Sequence, residues 1–155
     1  MIRRRMFTAG AAAALMAPSI SRGAGGSVLK FIPQSDLTIL DPIVTTVYTA
    51  RNHGFMVYDT LFGMDGNYRM QPQMLESYQV EDDGKRWVLK LRDGLMWHDG
   101  EKVLAKDCVA SIKRWGRRDG IGSLLLARTD EMVVVDDRTF HIRLKKPFAL
   151  LPYAF

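Results

Sequence analysis

Cysteine is all but missing from this chain, and its scarcity removes a class of architectures. Cys108 stands alone, so no intrachain disulfide and no Cys-based zinc site can form. Histidine is scarce as well. His53, His98 and His141 fall at no ligand spacing such as H-x-x-x-H, and no Glu or Asp completes a set, so structural roles are expected for all three and no metal or other cofactor. No serine occupies a G-x-S-x-G elbow, and Ser111 lies inside a helical pattern where nothing sharpens it into a nucleophile. Asp93, His98 and Asp99 near it are explained by turns without any chemistry, so no catalytic residue and no enzymatic activity are expected. Long apolar runs are also lacking. The longest, at Ala9–Ala17, is well short of the ~20 residues that span a bilayer, which argues against a membrane-spanning anchor.

Basic charge is concentrated at the start. Arg3, Arg4 and Arg5 precede that short apolar run and a string of small residues at Ser19, Ser21, Gly23 and Ala24, the layout of an export signal cleaved between about residues 19 and 26. Arg4-Arg5-Met6-Phe7 resembles the R-R-x-F core of a twin-arginine leader, with Arg3 where that motif usually has Ser or Thr, so both the twin-arginine and the ordinary secretory routes stay open. The formal net charge is +5, and removing the four arginines of residues 1–26 leaves about +1. The basic balance therefore belongs mostly to the leader, and nucleic-acid binding loses its compositional support. Arg114, Arg117 and Arg118 form a local basic cluster, expected to be a solvated helix end interacting favourably with the helix dipole.

Asp-Gly steps punctuate the chain beyond the leader. Asp83-Gly84, Asp93-Gly94 and Asp99-Gly100 separate short alternating apolar runs, and Asp-Gly readily supplies the positive φ of a tight turn. Val28–Ile32 reads as a buried strand closed by Pro33. Thr45 to Phe62 is predicted to be a helix running to the Asp65-Gly66 turn, and Met70 to Ser77 an extended and then looping stretch. A meander begins at Tyr78–Val80, with Trp87, Leu89 and Leu91 on one face and Lys90 and Arg92 on the wetter one, implying an antiparallel sheet. Ala105, Cys108, Val109 and Ile112 then make one helical stripe, and Gly116–Gly122 a polar break. Glu131–Val135, a two-residue Asp136-Asp137 turn and Thr139–Leu144 spell a hairpin with one apolar face.

The wording of these segments is specific. Leu40-Asp41-Pro42, Asp59-Thr60-Leu61, Asp65-Gly66, Pro72-Gln73-Met74-Leu75-Glu76-Ser77, Leu91-Arg92-Asp93-Gly94, Trp97-His98-Asp99-Gly100, Ala105-Lys106-Asp107 and the stretch Asp136–Phe148 occur in order. Together they resemble the peptide/nickel-type family 5 solute-binding proteins of ABC importers, from about Val28 to Phe155. The resemblance implies a mixed α+β, α/β-class chain with a type II periplasmic-binding-protein-like lobed fold. Residues 27–45 would be the first strand and cleft loop of a large lobe, and 46–155 a small α+β subdomain. Phe148–Phe155 is apolar without a polar cap, so the chain is expected to be an N-terminal fragment of a longer protein.

The same resemblance implies a periplasmic receptor that holds a peptide or another small solute and presents it to permease and ATPase subunits. A sensor-coupled receptor and a secreted hydrolase domain are the alternatives. The lack of a cysteine after the leader fits a protein without a lipid anchor. Because ligands of lobed receptors are gripped by loops near the hinge, Thr45, Thr46, Tyr48 and Arg51 are candidate ligand contacts. Trp115, at a helix end before a Gly-rich break, is a further candidate.

Overall fold

Among the described residues the alternating and helical periods of the sequence resolve into eleven short elements. The computed structural model describes residues 29–155; the expected export signal lies outside them. In chain order come α1 (Tyr48–Val57), β1 (Phe62–Met64), β2 (Met70–Pro72), β3 (Leu75–Glu81), a 3-10 turn (Asp82–Gly84), β4 (Arg86–Leu91), α2 (Ala105–Gly116), α3 (Gly120–Arg128), β5 (Thr129–Val134), β6 (Thr139–Leu144) and α4 (Leu151–Ala154). β1 and β2 form a separate two-stranded hairpin, and the other strands an antiparallel sheet ordered β3-β4-β6-β5.

The sheet obeys the expected alternation. Trp87, Leu89 and Leu91 are buried between half-buried Arg86, Val88 and Lys90, and Phe140, Ile142 and Leu144 repeat the pattern on β6. Register places Trp87 beside Ile142 and Leu89 beside Phe140. The stripe Ala105, Cys108, Val109 and Ile112 of α2 faces this apolar side, and Leu125, Phe148 and Leu151 complete the core. Fully buried side chains such as Leu89, Phe140 and Leu125 contribute roughly 1.5–3 kcal/mol each. The opposite face is laced with ions: Arg143 pairs with Glu131 (2.8 Å) and Asp130 (3.2 Å), Lys90 with Glu76 (3.0 Å), and Arg86 with Glu81.

Turn chemistry follows the sequence at three places and departs from it at two. Gly84, Gly94 and Gly100 take φ of 83°, 77° and 88°. In the β1–β2 turn it is Tyr68 (φ 61°), not Gly66, that is left-handed. There the Asp65 carboxylate accepts from the backbone N–H of Asn67 (2.8 Å) and Arg69 (3.0 Å) and from Gln71 Nε2 (3.0 Å), which sets the loop shape. The β5–β6 connection is also one residue longer than predicted. Val135 N–H bonds Thr139 O at 2.8 Å, leaving Asp136–Arg138 as the loop, and Asp136 Oδ1 accepts from the N–H of both Arg138 and Thr139 at 2.8 Å.

Four elements differ from the sequence expectation. The helix predicted to reach Phe62 stops at Val57, because Gln73 holds the next residues extended. Gln73 Oε1 accepts from Thr60 N–H (3.2 Å) and lies 2.7 Å from Thr60 Oγ1, its Nε2 donates to Asp59 Oδ1 (3.1 Å), and Gln73 N–H bonds Leu61 O (2.9 Å). Asp59-Thr60-Leu61 and Pro72-Gln73-Met74 are thus two halves of one clamp. The strand of the meander starts at Leu75, earlier than Tyr78. The Gly116–Gly122 break narrows to Arg117–Asp119, since the two glycines sit inside helices that cross closely. A Cβ on Gly122 would stand 2.7 Å from Gly116 Cα. Residues 29–32, expected to be a buried strand, have no strand partner among the described residues, and Leu29 and Ile32 are 90% and 91% exposed.

Candidate functional site

Leu40-Asp41-Pro42 begins a loop fixed from two sides. Within the loop, Asp41 Oδ1 accepts from Ile43 N–H (3.0 Å) and Asp41 O from Val44 N–H (3.3 Å). From α2, Arg114 reaches across with Nη2 2.5 Å from Asp41 Oδ2 and Nη1 3.4 Å from Oδ1. The hydrogen bonds from Arg114 and then from Ile43 N–H hold the Asp41 carboxyl below the usual carboxylate range, and Asp41 in turn raises Arg114. On the other side Pro42 packs on α1, where a Cβ on Gly54 would stand 3.2 Å from Pro42 Cγ. The loop then leads into α1 through Thr45, whose Oγ1 accepts from Val47 N–H at 3.2 Å.

Between this loop and the end of α2 lies a cleft in two adjoining parts. One, of about 250 Å³, is lined by Ile43, Val44, Arg114, Arg117 and Arg118. The other, of about 390 Å³, is lined by Pro42, Ile43, Val44, Thr45, Thr46, Trp115, Arg118 and Asp119. Trp115 is held edge-on to Phe155, ring centroids 6.0 Å apart. Asp119 is committed to the N-terminus of α3, accepting from Ile121 N–H (2.8 Å) and Gly122 N–H (3.0 Å).

Three of the candidates named from sequence, Thr45, Thr46 and Trp115, therefore share one cleft. Tyr48 and Arg51 line neither part. The Arg51 guanidinium lies 4.3 Å over the Tyr48 ring, so the two residues satisfy each other on α1. Arg114, Arg117 and Arg118 are exposed, as expected of a solvated helix end, and they also border the cleft, although they were not among the candidate contacts. The 73-residue separation of Asp41 and Arg114 leaves no local signal of that pairing. The histidines sit apart, on α1, in the loop after β4 and on β6, and no group of three or more His, Cys, Asp or Glu gathers among the described residues. Cys108 is buried in the core stripe, and burial pushes its thiol up to about 11. Guanidinium, hydroxyl and indole groups line this cleft.

Solved structures place this architecture among lobed solute-binding proteins. Mannopinic-acid-bound MoaA from A. tumefaciens R10 matches with a TM-score of 0.68 at 25% identity, over 76% of this chain and 25% of that one. The chain belongs to the bacterial extracellular solute-binding proteins, family 5, whose middle-region model matches residues 69–155. It is 42% identical, over 97% of its length, to a probable peptide ABC transporter periplasmic-binding protein of Sinorhizobium fredii, and 29% identical, over 96%, to a glutathione-binding protein of Pectobacterium atrosepticum. The chain spans 29% of the length of each of these two relatives. No helix among the described residues is long and apolar enough to cross a membrane.

Proposed function

We propose that this chain is part of the exported substrate-binding component of an ABC importer that takes up peptides or similar small solutes. The family match together with the 42% identical relative, named for peptide ABC transport, is the observation that carries this reading. In it the receptor works in the periplasm of a Gram-negative cell after removal of its signal peptide, and delivers solute to a permease driven by a separate ATPase. The relatives it matches are binding proteins, and the receptor performs no covalent step. Residues 27–45 belong to the larger lobe and its cleft loop, and 46–155 to the small subdomain. Thr45, Thr46 and Trp115 contact the solute, while Tyr48 and Arg51 flank the cleft from α1.

Uptake of radiolabelled trialanine by the native host, with and without the gene, tests the proposal. Loss of at least tenfold in uptake at sub-saturating solute, restored by a plasmid copy, is expected. Unchanged uptake of trialanine, glutathione and a mixed tripeptide pool in the deletion strain would refute it.

A further inference from the structure

An Asp-Gly step is reactive as well as a turn former, because glycine has no Cβ to keep its backbone nitrogen away from the preceding carboxyl group. The chain holds five, Asp65-Gly66, Asp83-Gly84, Asp93-Gly94, Asp99-Gly100 and Asp119-Gly120, and they differ in what restrains them. The Asp65 carboxylate accepts from Asn67 N–H, Arg69 N–H and Gln71 Nε2. Asp119 caps α3 through Ile121 N–H (2.8 Å) and Gly122 N–H (3.0 Å). At the fourth step Asp99 Oδ1 accepts from Glu101 N–H (3.0 Å), and Gly100 N–H is given to Trp97 O (3.0 Å). Asp83-Gly84 lies in the 3-10 turn, which is closed by Lys85 N–H on Asp82 O (3.0 Å) and by Trp87 Nε1 on Gly84 O (3.2 Å). Asp93-Gly94, in the turn after β4, has no comparable restraint. The Asp93 side chain is 94% exposed, and Arg138 Nη1 stands 3.8 Å from its Oδ1, beyond hydrogen-bond reach. Among the described residues Gly94 N–H donates no hydrogen bond, and a Cβ on Gly94 would meet nothing within 4 Å.

We propose that Asp93 is a modification site, at which the carboxyl group cyclises onto the Gly94 nitrogen and reopens as isoaspartate, ahead of the other four steps. In the first reaction Gly94 N attacks Asp93 Cγ. A C–N bond forms, the bond from Cγ to one carboxyl oxygen breaks, and that oxygen leaves as water with the amide proton and the proton of the carboxylic acid form. Water then opens the five-membered imide at either carbonyl. One opening restores aspartate; the other carries the chain through the former side chain and leaves the former main-chain carbonyl as a free carboxylate. Nothing is oxidised or reduced. Groups already engaged in hydrogen bonds must be released before they can meet, so a step with neither group engaged should react about fivefold faster for each bond it does not have to break. The product carboxylate is of the class to which an isoaspartyl methyltransferase transfers a methyl group from S-adenosylmethionine.

The test ages the intact gene product, folded, at mildly acidic pH, then digests it and locates isoaspartate by electron-transfer fragment masses. Methyl transfer from labelled S-adenosylmethionine by a purified isoaspartyl methyltransferase is the second readout. Isoaspartate at position 93 is expected at about five times the level of any of the other four steps, or more. Ageing the same protein in urea removes the fold and keeps the sequence, and there the five steps should come within about twofold of one another. Asp93→Glu keeps the negative charge but would need a six-membered ring, so the peptide carrying position 93 should lose its methyl label. The comparison of the five steps in the wild-type chain decides the matter even if that variant fails to fold. An even spread in the folded protein, a lead at another step, or a lead at position 93 that is as large in urea would overturn the proposal. Isoaspartate that forms in urea and nowhere in the folded chain would overturn it too.

Discussion

Asp41 ties two distant parts of the chain together through one side chain. Its carboxyl is held below the ordinary range by Arg114 and by Ile43 N–H, and Asp65 and Asp136 are lowered in the same direction by backbone and side-chain donors in their turns. A carboxylate with a depressed folded pKa contributes stability that is complete above its unfolded pKa of about 4 and is lost as pH falls through the lower folded value. Urea midpoints should therefore fall between pH 5 and pH 2, and Asp41→Asn should flatten part of that slope; a variant with the wild-type slope would mean that the pair is not formed in solution. Cys108, with its thiol near 11, should react with Ellman's reagent at pH 8 roughly a hundredfold more slowly than in urea. Thr45, Thr46 and Trp115 were legible as cleft residues because polar and aromatic groups beside a turn or a helix end are visible locally. Arg118 was legible as a solvated helix end, and it is exposed there; that it also borders the cleft depends on the distant Asp41–Thr46 loop, which leaves no local signal.

Among the elements, the α2–α3 crossing leaves no room for change. Gly122→Ala would place a Cβ 2.7 Å from Gly116 Cα and 3.0 Å from the Trp115 ring. A loss of about 1–3 kcal/mol on urea unfolding is expected from such overpacking, and neutral behaviour would show that the helices can part cheaply. The antiparallel sheet and α2 could be read from sequence because each carries a clean period, of two in β4 and β6 and of about 3.6 in α2. The end of α1 could not. Phe55, Tyr58, Leu61 and Phe62 imitate a helical stripe, but the Gln73 clamp from the neighbouring hairpin overrides it. The same local reading failed at residues 29–32, where an apolar run suggests a strand and only a neighbouring strand can make one.

For the whole molecule, apolar surface marks what the described residues leave uncovered. Phe55, Met56 and Val57 on α1 are 72%, 75% and 58% exposed, more contiguous than the scattered apolar residues of an ordinary surface. Expressed alone, residues 33–155 should bind 8-anilinonaphthalene-1-sulfonate strongly and, if the proposed site is shared between two lobes, hold solutes weakly. Tight calorimetric binding of a peptide by that piece would contradict a two-lobed site. If the Asp41–Thr46 loop and the end of α2 form the solute cleft of a family 5 receptor, bound solute must shield both of them. Hydrogen exchange of the intact gene product, compared with and without saturating trialanine or glutathione, should therefore slow at residues 41–46 and 114–119 and stay unchanged on the ion-laced outer face of β4 and β6. Protection confined to that outer face, or absent from the cleft loop while solute is bound, would place the solute elsewhere and contradict the cleft assignment.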